Sequence, residues 1–331
     1  MTVINGIEID IQAYKPDEIR QALRNNDPIA DTLHVIVVLS NPCQYARRFI
    51  LAREFIQRME REDNVLVYVV ELAYGDQLCY ITEAKNKRHL QLRGKIPLWH
   101  KENMINLGVR LLPPTWKAFA WIDADIEFEN PGWASDALKV LNGCRDVIQL
   151  FSHAIDMDKN KNALSIFPSF GFQLSKKNAY GGTGVNMWHP GFAWACTRKA
   201  YEKMGGLYEL SILGAGDHNM AFSFIGDALR SVNVATTDEY KESLSEFERK
   251  ADGLRFGYIP GVIRHHFHGS KKNRKYSERW QILVKHAYSP KDHMTKNKDG
   301  LLIPTKACPP GILEDIATYF SERNEDEGYK S

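Results

Sequence analysis

Two aspartates one residue apart, Asp123 and Asp125, close the uncharged run 118–122. A short uncharged run ahead of polar residues predicts a buried strand. Side chains two apart on a strand share a face, so both carboxylates converge where the strand leaves its sheet. Adjacent carboxylates repel, and a hard cation between them relieves the repulsion; solvated acidic caps are the alternative. Oxygen ligands select Mg2+ or Mn2+ and leave other coordination positions to water or substrate phosphates. A second group is His265, His266 and His268. In an extended chain, alternation puts His266 and His268 on one face and His265 on the other. One imidazole beside two carboxylates completes a Mn2+ site, with His268 the first choice. Gly269 then leads Lys271, Lys272, Arg274 and Lys275, a run suited to a diphosphate or polyanionic acceptor unless it is only a solvated face.

A third region is rich in glycine and aromatic residues: Trp188, His189, Gly191, Phe192 and Trp194, then Gly205, Gly206 and Tyr208, then Gly214 to His218. Trp188, His189 and Trp194 suit an acceptor wall, although aromatic residues commonly serve as core. Asp217 opens a helix predicted over 219–225, as an N-cap or as a general base, and His218 follows it.

The elements that must position these groups alternate. A strand over 33–39 is broken at Asn41 and Pro42, and an amphipathic helix follows over 44–61. A strand over 65–70 ends in Glu71. Pro97 opens a helix over 97–107 that closes at Gly108. After the aspartate strand, Asn130 caps a helix with Pro131 at its first position and Gly143 past its end. Strand–helix alternation predicts a largely parallel sheet with helices on both faces, whose ligands bind beyond the carboxyl ends of the strands. Asn41, Glu71, Asp123 and Asp125 all lie at such ends, and the first three are candidate donor contacts. Further predictions are a strand and polar helix within 3–31, a helix over 198–204, a loop over 236–252, an extended segment over 254–268 and a frayed acidic tail from Ser321. The chain divides into a preface (1–32), a half that carries the aspartate pair (33–145), a half that carries the glycine- and aromatic-rich region and the histidines (146–285) and a C-terminal extension (286–331).

The 331 residues are 44% hydrophobic and 25% charged, with a net charge of +2. That is a soluble globular composition with no global field for nucleic acid or membrane. Five dispersed cysteines without a Cys-x-x-Cys pair argue against structural zinc and for a reducing compartment. No leader or membrane-length apolar run is visible, which predicts a cytoplasmic protein.

These motifs, in this order over about 33–270, resemble the GT-A-fold nucleotide-sugar glycosyltransferases, in particular family-2-like enzymes and polypeptide N-acetylgalactosaminyltransferases. The resemblance implies an α/β, Rossmann-like fold, a UDP-sugar donor and Mn2+ or Mg2+ at Asp123 and Asp125. It implies His268 or His266 as the late histidine ligand. Lys101 and Asn106 resemble the Lys and Asn of the helix before the metal strand, which implies donor contacts alongside Lys271 and Lys272. Asp217 and His218 stand where that family has an acidic pair, which implies a catalytic place for them with the second carboxylate replaced. The stretches 120–128, 189–192 and 268–272 also look like glycosyltransferases of phages and large DNA viruses. That narrower resemblance implies a hydroxymethylated pyrimidine in DNA as one acceptor, in a host cytoplasm; glycan and protein hydroxyls are the others. Two rival classes stay open at this level. Nucleotidyl or phosphoryl transfer also uses paired carboxylates but normally needs two metals. A carbohydrate- or nucleic-acid-binding module would not need the metal pair.

Overall fold

The computed structural model describes residues 2–4, 7–9, 17, 20, 23–25, 28, 29, 32–183 and 186–328. The first described segments are the paired strands Thr2–Ile4 and Ile7–Ile9; the polar helix predicted within 3–31 falls largely outside the described residues.

The body begins with β1 (Leu33–Ser40), α1 (Ala46–Met59), β2 (Val65–Tyr74), β3 (His89–Gly94), α2 (Lys101–Val109), β4 (Ala118–Ile122) and β5 (Ile126–Phe128). It continues through α3 (Trp133–Leu141), β6 (Val147–Gln149), β7 (His153–Met157), β8 (Ala163–Pro168), α4 (Phe170–Ser175), β9 (Ala193–Thr197), α5 (Arg198–Met204) and α6 (Gly216–Ser223). The last elements used below are α7 (Asp238–Ala251), β10 (Phe256–Tyr258), β11 (Val262–His265), α8 (Trp280–Lys285) and α9 (Pro310–Glu322).

The fold is α/β. A seven-stranded sheet runs β10-β6-β9-β4-β1-β2-β3. Only β9 runs against its neighbours; the other pairings are parallel. Side chains of β1 alternate between two cores. Ile36 joins Met104 and Leu107 of α2 on one face, while Val35 and Val37 join Phe55 of α1 and Trp133 of α3 on the other. A four-stranded sheet, β8-β7-β11-β5, sits beside the first. Asp123, Ala124 and Asp125 are the whole link from β4 in the first sheet to β5 in the second, because β4 ends at Ile122 and β5 starts at Ile126. The chain leaves β1 for β2 on one side and returns to β4 on the other, so the strand order reverses beside β1. Such a reversal opens a crevice at the carboxyl edge.

Three sequence expectations are corrected. Residues 236–252 do not loop out: α7 is capped by the Thr237 hydroxyl, which accepts from Tyr240 N at 3.2 Å, and it buries Tyr240, Leu244, Phe247 and Ala251. Those residues form one stripe at helical spacing, hidden in the sequence among the helix's ten polar or charged residues. Over its described residues, 321–328, the tail is docked, not frayed. Asp326 accepts from Ala46 N at 3.0 Å and Arg47 N at 2.8 Å, so a carboxylate remote in sequence satisfies the open amides at the start of α1. The helix predicted over 219–225 begins at Gly216, and its N-cap is Ala215 with φ 78°, so Asp217 lies inside the first turn and is not the cap.

Residues of the C-terminal extension, including Ile312, Ile316 and Phe320 of α9, belong to the same core cluster as Ile36 and Met104. No helix among the described residues is long and apolar enough to cross a membrane.

Candidate active site

The crevice holds a cavity of about 150 Å³. Val38 to Ser40 of β1, Asp123 to Asp125 and the start of α2 form its floor, while Arg274, Phe320 and Arg323 close it from the C-terminal side.

The two aspartates face different partners. Asp123 Oδ1 lies 2.6 Å from Lys101 Nζ, and the same ammonium lies 2.9 Å from Asp217 Oδ2. Burial pushes the Asp123 carboxyl up to about 6 although Lys101 opposes the shift. Asp125 Oδ2 lies 2.8 Å from His268 Nε2 and 3.8 Å from His265 Nε2. Burial resists its ionisation, but these imidazoles outweigh burial and hold it well below the usual carboxylate range. Neither Asp125 Oδ1 nor Asp217 Oδ1 has a hydrogen-bond partner, although both are buried.

Asp125, His265 and His268 place one ligand atom each within 4.8 Å of one another. Each imidazole is backed by a carboxylate: His265 Nδ1 is 2.8 Å from Asp156 Oδ1, and His268 Nδ1 is 3.4 Å from Glu325 Oε2. Carboxylate-backed histidines are characteristic of metal sites. A set of one carboxylate and two imidazoles, with a carboxylate oxygen left unpartnered, fits a borderline divalent cation such as Mn2+. Arg274 Nη2 also lies 2.7 Å from His268 Nε2, so a cation bound there would take over the face that this guanidinium now covers.

Glu102 lies beneath Asp217. Its Oε1 is buried without a partner, and a Cβ on Gly216 would meet it at 2.3 Å; only glycine lets α6 begin here. Burial, and then the charge of Asp217, push the Glu102 carboxyl up to about 8.

No family model matches the sequence, and no curated protein matches it. Among solved structures, the chain is similar to a Drosophila β1,4-galactosyltransferase 7 mutant in complex with manganese, UDP-galactose and xylobiose, at 11% identity over 81% of this chain and 87% of that one, TM-score 0.39. It is similar to the mannosyltransferase PcManGT of Pyrobaculum calidifontis with GDP-mannose and Mn2+, at 14% identity over 92% and 76%, TM-score 0.41. It is also similar to the 4-diphosphocytidyl-2C-methyl-D-erythritol synthase of Anaerococcus prevotii, at 9% identity over 88% and 96%, TM-score 0.33.

The structure gathers Lys101, Asp123, Asp125, Asp217 and His268 at the crevice and disperses the other predicted residues. His266 faces away, with Nε2 3.2 Å from Glu127 Oε2. β11 ends at His265 and the chain turns, so strand alternation does not extend to His268, and His265 takes the predicted place of His266. Glu71 lies inside β2, paired in register with Leu39. Its oxygens accept from the amides of Tyr80, Ile81 and Thr82 and from the Thr82 hydroxyl, which pins the 80–82 loop. Asn41 braces its own turn, donating to Tyr45 O at 2.8 Å and accepting from Tyr45 N at 3.0 Å. Asn106 holds the turn after α5, accepting from Leu207 N at 2.8 Å. Lys271 pairs with Asp156, and Lys272 is exposed.

On the acceptor side, Trp194 stacks on Trp121 and Phe256 in the core, because β9 is an interior strand covered on both faces. Trp188 is buried edge-on against Phe170. His189 stacks on Phe192, and burial brings its pKa down to about 3. His218 packs edge-on against Phe222.

Sequence reading missed Arg48, Arg323 and Glu325. Arg48 Nη2 lies 2.8 Å from Glu325 Oε1 and Arg323 Nε lies 2.6 Å from it. Only the acidic and basic character of 321–327 hinted at this group, and that character equally describes a solvated tail.

Proposed function

We propose that the protein is a metal-dependent glycosyltransferase that moves a hexose from a UDP-sugar to a hydroxyl acceptor. The observation that carries this reading is the Asp125–His265–His268 cluster, with its unpartnered carboxylate oxygen, at the rim of a crevice whose opposite rim holds Asp217. Asp125, His265 and His268 would hold the cation, and Arg274 and Arg323 would line the donor diphosphate. When bound, the cation neutralises the charge that develops on the leaving diphosphate. Lys101 fixes one oxygen of Asp217, which leaves Oδ1 to accept the proton of the acceptor hydroxyl. The acceptor oxygen then bonds to the anomeric carbon as the bond to the diphosphate breaks, and that electron pair departs with the diphosphate.

Nucleotidyl transfer by two metals is less well served. It needs several carboxylates free to share the ions, and Lys101 draws Asp123 away from the histidine cluster. The acceptor is better read as a glycan or protein hydroxyl than as DNA. Lys271 and Lys275 are engaged by Asp156 and Glu322, so the basic run offers few unpaired charges to a phosphate backbone.

Calorimetry of UDP with and without Mn2+ tests the reading. UDP affinity in the parent protein should depend on Mn2+, and Asp125→Ala should abolish that dependence. Equal UDP affinity in both proteins, with Mn2+ present, would sink the proposal.

A further inference from the structure

Beyond Asp217, on the side away from the cavity, an exposed aromatic–cation pair has no part in the donor chemistry. The Tyr180 hydroxyl lies 3.5 Å from His218 Nε2, and His218 adjoins Asp217 in α6. The Tyr180 ring is held edge-on by Phe222 at 5.3 Å and tilted against Trp188 at 5.7 Å, yet 38% of the residue stays exposed. The Arg230 guanidinium sits 4.6 Å from the centre of that ring. Its carboxylate partner, Asp227, is 3.4 Å away, and both side chains are about half exposed. An ion pair in that setting contributes little, so an incoming anion competes well for the guanidinium. Leu229, next to Arg230 in the chain, is also exposed.

We propose that Tyr180 and Arg230 form an acceptor subsite that takes a sugar ring carrying one anionic group, a carboxylate or a phosphate. The inference rests on the glycosyltransferase reading and narrows its acceptor. A sugar presents a C–H face that packs on an aromatic ring, and Tyr180 supplies a rigid one close to Asp217. Arg230 supplies a planar fork matched to a carboxylate or phosphate. A single cation on a short rim suits one negative charge, whereas a nucleic-acid strand would call for a row of them.

Saturation-transfer NMR on the full chain with Mg2+ and UDP provides the test, using methyl glucoside, methyl glucuronide and glucose 6-phosphate as probes. The anionic probes should bind about tenfold more tightly than the neutral one, the fold-change typical of a hydrogen bond to a charged group. Arg230→Gln should remove that preference and Tyr180→Ala should weaken all three probes, with UDP affinity unchanged in both variants. A preference for the glucuronide alone identifies a carboxylate acceptor, and one for the phosphate alone a phosphosugar. Equal binding of the three probes to a parent protein that binds UDP would overturn the subsite and leave the donor reading standing. So would tighter binding of a short single-stranded oligonucleotide that Arg230→Gln abolishes, because the pair would then serve nucleic acid. Failure of the parent protein to bind UDP would instead overturn the donor reading on which the inference rests.

Discussion

Asp123 and Asp125 stand one residue apart, yet they belong to two regions of opposite electrostatic character. On the Asp123 side, one ammonium is shared by two carboxylates, one oxygen of Glu102 lies buried without a partner, and burial raises Asp123 and Glu102. On the Asp125 side, two imidazoles and Arg274 surround one carboxylate and lower it. The cause is topological. The aspartates do not share a strand face, because the chain passes from one sheet to the other between them. On the proposed reading, the fold divides a paired motif between a group that would hold a cation and a group that would tune a base.

The largest effect expected from this division is on catalysis. Asp217→Asn should lower transfer by about 10²–10⁴-fold, the usual worth of a positioned general base, and leave Mn2+-dependent UDP affinity intact. Product formation by mass shift, together with calorimetry, checks both halves. Normal transfer would place Asp217 outside the chemistry.

On the other side, His265→Ala and His268→Ala should each weaken metal-dependent UDP binding, and His266→Ala should not. Glu325→Gln, which alters the backing of His268 and weakens the pairing with Arg48 and Arg323, should weaken Mn2+ affinity by about 10–100-fold. Manganese titrations followed by electron paramagnetic resonance would rank the four variants. A His266 effect as large as that of His265 would erase the distinction drawn between the two faces.

The smallest effect concerns pH. The folded Glu102 carboxyl is raised from 4.5 to about 8, so the folded chain holds a proton that the unfolded chain has released. The stabilising contribution is complete below about 4.5 and is lost as pH rises to about 8. The slope cannot exceed about 1.4 kcal/mol per pH unit for one proton. The lowered acids, Asp125 and Asp156, titrate below this window and do not blur it. In metal-free protein, thermal midpoints should fall between about pH 7 and 8, above the range in which Asp123 and the lowered histidines titrate, and Glu102→Gln should flatten the fall. An unchanged profile would remove Glu102 from the account.

Much of the fold was legible because β1, β2 and β4 are interior strands that read as near-continuous apolar runs, and because Pro131 and Gly143 bracket α3. The helix ends were less so: α2 starts at Lys101 rather than Pro97 and runs through Gly108, and the N-cap of α3 is Gly132 rather than Asn130. α7 was missed because its apolar stripe is narrow and its remaining positions are charged. At the site, Asp123, Asp125 and Asp217 could be found from their positions at strand ends and after glycines. His265 and His266 were exchanged because the end of a short strand is not marked in the sequence. Glu71 and Asn106 were misplaced for another reason. A buried polar residue that braces a loop has the same composition as one that binds a ligand, and only its hydrogen-bond partners distinguish them.

The contact between Arg48 and Glu325 spans 277 residues of chain. At synthesis rates of about 5–20 residues per second, the first rim of the crevice emerges roughly 15–55 s before the segment that closes it. The carboxylate behind His268 is made 57 residues after His268 itself, about 3–11 s at those rates, and until then its cluster with Asp125 can assemble only in part. On the proposed reading, cation binding therefore reaches full strength only once Glu325 has emerged, after every strand of the central sheet has been made.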